Sequence, residues 1–243
     1  MLDISDLHVR YGTAEAVRGV SLAAVPGRVT LVLGANGAGK TSTLHAAAGL
    51  VPSHGGRVSL GGTDITGRVP HMIVRDGMVL VPEGRRVFAP LTVEENLVLG
   101  GYTAPRERAR EILQEVYAMF PILGERCAGA AGLLSGGEQQ MLAFGRALMS
   151  SPKVMMLDEP SMGLAPTMVD SVLGAVRDIA DSGIAVLLVE QNAEVGLEVA
   201  DEVVAMARGG VVFTGPAAQA RSNSSVLRAF LGEAALATQV PAD

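Results

Sequence analysis

The sequence predicts an α/β fold: a parallel sheet covered by helices on both faces, with an N-terminal antiparallel β lobe and an inserted helical lobe. Three observations carry this prediction. Short runs of strand length recur, β-branched and aliphatic at Val29 to Leu33 and wholly apolar at Val154 to Leu157 and Ile184 to Val189, with helix-compatible stretches between them. The opening segments instead alternate apolar and polar residues. From about residue 82 to residue 134 strand signals give way to helical ones.

Leu2 to Arg10 and Val17 to Val25 read as half-buried antiparallel strands, the second closing at Pro26-Gly27. Val29 to Leu33 ends at Gly34, and the Ala- and Leu-rich stretch from Gly39 to Leu50 reads as a helix. Arg57 to Leu60, closed by Gly61-Gly62, and Met78 to Val81 are further strands. Thr92 with Glu95 makes a capping box opening a helix to about Leu99, and Pro105 is expected in the first turn of another reaching about Phe120. After the strand at Val154 come a helix from about Pro166 to Asp181, the strand to Val189, a short helix after Asn192 and the strand Val203 to Met206. Arg208-Gly-Gly210 then turns into Val211 to Thr214 as a hairpin.

These elements describe a single domain over residues 1–232. The antiparallel lobe takes about 1–30 and 56–66, the parallel core about 31–55, 67–81 and 150–215, and the helical lobe about 82–149. Residues 233–243 are expected to be a disordered tail.

At 243 residues the chain can bury a sizeable core, and its longest apolar runs are too short for a membrane span. No charged, apolar, then small-residue pattern opens it, which predicts a cytosolic chain. The net charge of −6 and the lack of a basic stripe argue against nucleic acid as a partner. The lone Cys127 can form no internal disulfide and reads as a buried apolar residue. His8, His45, His54 and His71 form no i,i+4 pair, which argues against a protein-built zinc site.

The segment Gly34-Ala35-Asn36-Gly37-Ala38-Gly39-Lys40-Thr41-Ser42 carries the first chemistry. Its glycines let backbone N–H groups turn toward phosphate oxygens, Lys40 adds charge, and the Thr41 hydroxyl can hold Mg²⁺. The strand before it and the helix after it aim the positive end of a helix dipole at the same anion. Asp158 and Glu159 follow an apolar strand, at the carboxyl edge where ligands bind in open α/β sheets. Asp158 is suited to holding Mg²⁺ and Glu159 to accepting a proton from attacking water.

A second anion site is written at Leu134-Ser135-Gly136-Gly137-Glu138-Gln139. Ser135 and Glu138 form a capping box, and the two glycines leave the N–H groups of the helix start uncovered. One phosphate loop serves one ATP, so a second anion site in the same chain asks for a second ATP. A head-to-tail dimer would supply it.

In these three elements the chain resembles the ATP-binding-cassette (ABC) ATPases over nearly its whole length. Gly34 to Thr41 resembles Walker A, Val154 to Glu159 Walker B with its catalytic glutamate, and Leu134 to Gln139 the family signature. The resemblance implies a P-loop NTPase fold with a RecA-like core, ATP and Mg²⁺ as cofactors, and Tyr11 stacking on adenine. Three positions depart from the family pattern. Glu83 stands where a glutamine senses the γ-phosphate, and its carboxylate could reach Mg²⁺. Gln191 stands where a switch histidine belongs, and Ala165 replaces the aspartate of the dimer-contact loop.

The segments Pro82-Glu-Gly-Arg-Arg86, Pro160-Ser-Met-Gly-Leu-Ala-Pro166 and Val189-Glu-Gln-Asn192 are similar to those of the second ATPase subunit of importers for branched-chain amino acids and related hydrophobic or amide solutes. That likeness implies a second, different ATPase subunit, two integral membrane subunits and an extracytoplasmic solute-binding protein as partners, and a peripheral place on the cytoplasmic side of the membrane. The alternatives are an exporter ATPase, a soluble non-transport ATPase of the same superfamily, and a regulatory module that binds ATP but barely hydrolyses it.

Overall fold

The structure, a computed structural model, describes residues 1–222. The chain opens with the antiparallel strands β1 (Leu2–Tyr11) and β2 (Ala14–Ala24). In β1 the buried residues are Leu2 and Ile4, then Leu7 and Val9. This change of parity is a β-bulge: the register shifts between Ile4 and Leu7, and Asp6 takes a left-handed φ of 51°.

Next come β3 (Val29–Leu33), α1 (Lys40–Ala47), β4 (Gly55–Leu60), β5 (Thr63–Asp64), α2 (Pro70–Asp76) and β6 (Met78–Val81). Strands β4 and β5 complete a four-stranded antiparallel sheet in the order β2-β1-β4-β5. The helical lobe holds α3 (Val93–Gly100), α4 (Arg106–Met119), α5 (Pro121–Glu125), a 3-10 turn at Ala131–Leu133 and α6 (Gly136–Leu148). The capping box of Thr92 and Glu95 forms as expected. Pro105 stands at the N-cap of α4 rather than inside its first turn.

The chain then alternates β7 (Val154–Asp158), α7 (Pro166–Asp181), β8 (Ala185–Glu190), α8 (Ala193–Val199) and β9 (Glu202–Ala207), before β10 (Gly210–Pro216) and α9 (Ala217–Ser222). Six strands form the second sheet in the order β10-β9-β3-β8-β7-β6, all parallel except the β10 edge. Three short helices, α2, α5 and α9, escape the sequence reading because they span too few turns to show a 3.6-residue period. The expected tail at 233–243 lies outside the described residues.

Strand parity explains how one sheet serves two cores. Met155 and Leu157 of β7 pack with Val186 and Leu188 of β8 in the cluster shared with the helical lobe and α7. Val154 and Met156 pack with Leu187 and Val189 in the cluster shared with α1 and the antiparallel lobe. Successive side chains of a strand face opposite sides, so runs apolar at every position are those buried on both. Among the described residues no helix is long and apolar enough to cross a membrane.

Candidate functional site

The carboxyl ends of β3, β7 and β8 meet at one edge of the parallel sheet, and the predicted loop lies there. Gly39 caps α1 with φ 102°, and a Cβ on it would sit 2.5 Å from the Ala16 carbonyl. Gly37, with φ 80°, has open space around it. Thus Gly39 lets the loop pass beneath β2, while Gly37 leaves its crest uncovered for a ligand. A cavity of about 330 Å³ is lined by residues 36–42 together with Glu83, Glu159, Met162 and Gln191.

Lys40 is buried and donates to the Gly34 carbonyl at 2.7 Å. Its Nζ also lies 3.5 Å from the Ala35 carbonyl and 3.2 Å from Glu159 Oε1. Thr41 Oγ1 donates to Asp158 Oδ1 at 3.2 Å. Asp158 is 2 % exposed, and burial pushes its carboxyl above the usual range although the Thr41 bond pulls the other way. A buried carboxylate beside a hydroxyl, at the edge of a cavity, is a donor set for a hard cation that keeps most of its water, as Mg²⁺ does.

Glu159, directly after β7, adopts a left-handed φ of 47°. Its backbone N–H donates to the Val189 carbonyl at 2.9 Å, which ties the turn to β8. Glu190, the last residue of β8, is 2 % exposed and accepts from the Ser161 backbone N–H at 3.1 Å. Burial raises its pKa. The sequence reading missed Glu190; its signal is an acid closing a strand that is otherwise entirely apolar.

Of the candidates, Asn36 to Ser42, Glu83, Glu159 and Gln191 line one cavity, with Asp158 bonded to its Thr41. Tyr11 does not line it: the ring stands half-exposed at the end of β1. The signature residues lie on the helical lobe and do not line it either. Ser135 caps α6, with Glu138 N–H donating to Ser135 Oγ at 3.3 Å and Ser135 N–H to Glu138 Oε2 at 2.6 Å. Gln139 Nε2 donates to the Leu134 carbonyl at 3.2 Å. Gly137 has a second reason to be glycine, since a Cβ would meet Met168 Sδ of α7 at 2.6 Å. At Gly136 a Cβ would press on Leu164 and Arg85. Ala165 is the N-cap of α7 and makes no side-chain cap bond.

Between the cavity and the helical lobe, Gly84, Arg85 and Arg86 are left-handed in succession, at φ 82°, 62° and 50°. Beyond them a groove of about 500 Å³ carries the exposed Phe88, Leu99 and Tyr102. Arg146 lies over the Phe88 ring at 5.3 Å, and its Nη1 is buried without a hydrogen-bond partner. Cys127 is half-buried on another groove of this lobe rather than enclosed.

The sequence profile described as ABC transporter matches residues 17–162. The high-affinity branched-chain amino acid transport ATP-binding protein BraG of Pseudomonas aeruginosa is 40% identical over 232 residues, covering 96% of this chain and 100% of BraG. The probable branched-chain amino acid transport ATP-binding protein LivF of Archaeoglobus fulgidus is 38% identical over 78% of this chain and 80% of its own. Among solved structures, the ADP conformation of MJ1267, an ATP-binding cassette of an ABC transporter, superposes with a TM-score of 0.87. It is 26% identical, over 96% of this chain and 99% of that one.

Proposed function

Because this chain belongs to the ABC transporter family and is one of its ATPase cassettes, we propose that it drives an importer for branched-chain amino acids or related hydrophobic or amide solutes. The observation that carries this reading is the end-to-end likeness to BraG joined to a cavity that gathers Lys40, Thr41, Glu159 and Gln191.

The N–H groups of the loop from Gly34 to Ser42 and Lys40 would hold the β- and γ-phosphates, and Tyr11 would stack on adenine. Thr41 and Asp158 would hold Mg²⁺, with Glu83 within reach. Bound Mg²⁺ would neutralise charge on the phosphate oxygens. Glu159 would take the proton of the attacking water as its oxygen bonds to the γ-phosphorus and the bond to ADP breaks. Gln191 would donate from its amide to the γ-phosphate.

Leu134 to Gln139, which do not line this chain's own cavity, would complete the site of a second cassette in a head-to-tail dimer. A different cassette with other residues where this chain has Glu83, Ala165 and Gln191 would make the two sites of such a pair unequal. The groove at Phe88, Leu99 and Tyr102 would receive one of two membrane subunits, placing the chain on the cytoplasmic side of the membrane. A solute-binding protein would act from the other side.

The test is co-purification from membranes followed by ATPase assays in vesicles. Two membrane subunits and stimulation by leucine with a binding protein support the reading; stimulation by an outward-moving lipid in their absence overturns it. Glu159→Gln is expected to keep ATP binding and lose turnover by ~10²-fold or more.

A further inference from the structure

The geometry points to Glu190 as a positioning residue that clamps the turn carrying Glu159 through the Ser161 backbone N–H. This rests on the reading of Glu159 as the base.

A non-glycine residue in the left-handed region persists only where its surroundings over-determine it. At Glu159, with φ 47°, two bonds from β8 supply that constraint. Its own N–H is held by the Val189 carbonyl at 2.9 Å, and two residues on the Ser161 N–H is held by Glu190 Oε1 at 3.1 Å. The first bond comes from the backbone and would survive any side-chain change. The second depends on the identity of residue 190.

Parity places this carboxylate. Val189 packs in the cluster shared with α1, so Glu190, the next residue, faces the other side, with α8. There a Cβ on Gly196 would come within 3.3 Å of Glu190 Cβ, so α8 closes tightly over the acid. Asp158, in phase with Val154 and Met156, faces α1 and bonds Thr41. Two buried acids at the ends of adjacent strands thus divide the work. Asp158 bonds the Thr41 side chain, and Glu190 holds the backbone of the turn at Ser161. A 440 Å³ cavity adjoining the phosphate site is lined by both Glu159 and Glu190, so the clamp sits beside the group it positions.

The test uses the full chain assayed with its partner cassette. Glu190→Met keeps length and burial but loses the acceptor; Glu190→Leu is the second such variant should Met fail to fold. Either is expected to lower kcat by ~10-fold or more while KM for ATP stays within ~2-fold. Glu190→Gln, which retains an acceptor oxygen, is expected to keep kcat within ~3-fold of wild type. In a Glu159→Gln background, Glu190→Met should cost nothing further. Wild-type kcat in Glu190→Met, equal losses in Gln and Met, or a further loss in the Glu159→Gln background would each overturn the clamp. Full turnover in Glu159→Gln alone would instead overturn the base assignment, whatever Glu190 does.

Discussion

Lys40 Nζ lies 3.2 Å from Glu159 Oε1, and both side chains are nearly out of solvent. The cation proposed to hold the phosphates therefore neutralises the residue proposed as base. ATP entering the cavity would draw Lys40 toward its phosphates and release Glu159 toward water. Removing one partner of such a pair strands the other. Lys40→Met is accordingly expected to lower the nucleotide-free Tm by at least ~3 °C. Lys40→Met with Glu159→Gln should recover more than half of that loss, as read by calorimetry.

Gln191 lines the phosphate cavity at a position where its amide can donate but carry no charge. Gln191→His is expected to raise kcat. Unchanged turnover would mean that the amide already serves.

Burial raises the pKa of Glu190 above the ordinary glutamate value, so ionising it opposes folding. Below that ordinary value, about 4.3, both folded and unfolded carboxyls are neutral and no penalty exists. As pH rises past it the unfolded chain ionises more readily, and stability is lost until the folded carboxyl ionises too. Lys40 and Glu159 act on this group in opposite directions, and Glu194 of α8 borders the same cavity. Glu190→Gln should therefore show a higher Tm than wild type at pH 7 to 8, with the gap closing as pH approaches about 4. Calorimetry across that range checks it.

Gly137→Ala would place a methyl 2.6 Å from Met168 Sδ. The thioether belongs to a flexible, half-buried side chain that can turn aside. Alanine favours the helix over glycine by about 1 kcal/mol, so denaturant unfolding should show a change of no more than about 1 kcal/mol in either direction. Signature-dependent ATPase should fall nonetheless, because the added methyl covers N–H groups of the helix start.

Purified alone, the chain is expected to be largely monomeric and weakly active, since its signature residues stand apart from its own phosphate cavity. Light scattering with ATP present checks this. A stable, fast homodimer would count against an unlike partner.

The strand, loop and helix at residues 29–47 were legible because each feature is local: an apolar run, glycines, then a helix-forming stretch. The capping boxes at Thr92 and Ser135 were legible for the same reason. Glu190 was not, because its role depends on a bond to Ser161, 29 residues away in sequence, across two strands. The second reason for Gly137 was equally hidden, since it lies in α7 and not in α6. Lys40 and Glu159 were each legible singly, but their pairing requires the fold.

Because each central strand feeds its alternate residues to two different cores, the molecule is more sensitive to phase than to composition. Exchanging one aliphatic residue for another in β7 leaves Asp158 on the α1 side. Deleting a single residue there would turn Met155 and Met156 to each other's faces and carry Asp158 away from Thr41. No rotamer change could bring it back, since a side chain cannot cross a sheet. Length changes in β7 and β8 should thus be far less tolerated than substitutions, and natural insertions should fall in the connections between strands.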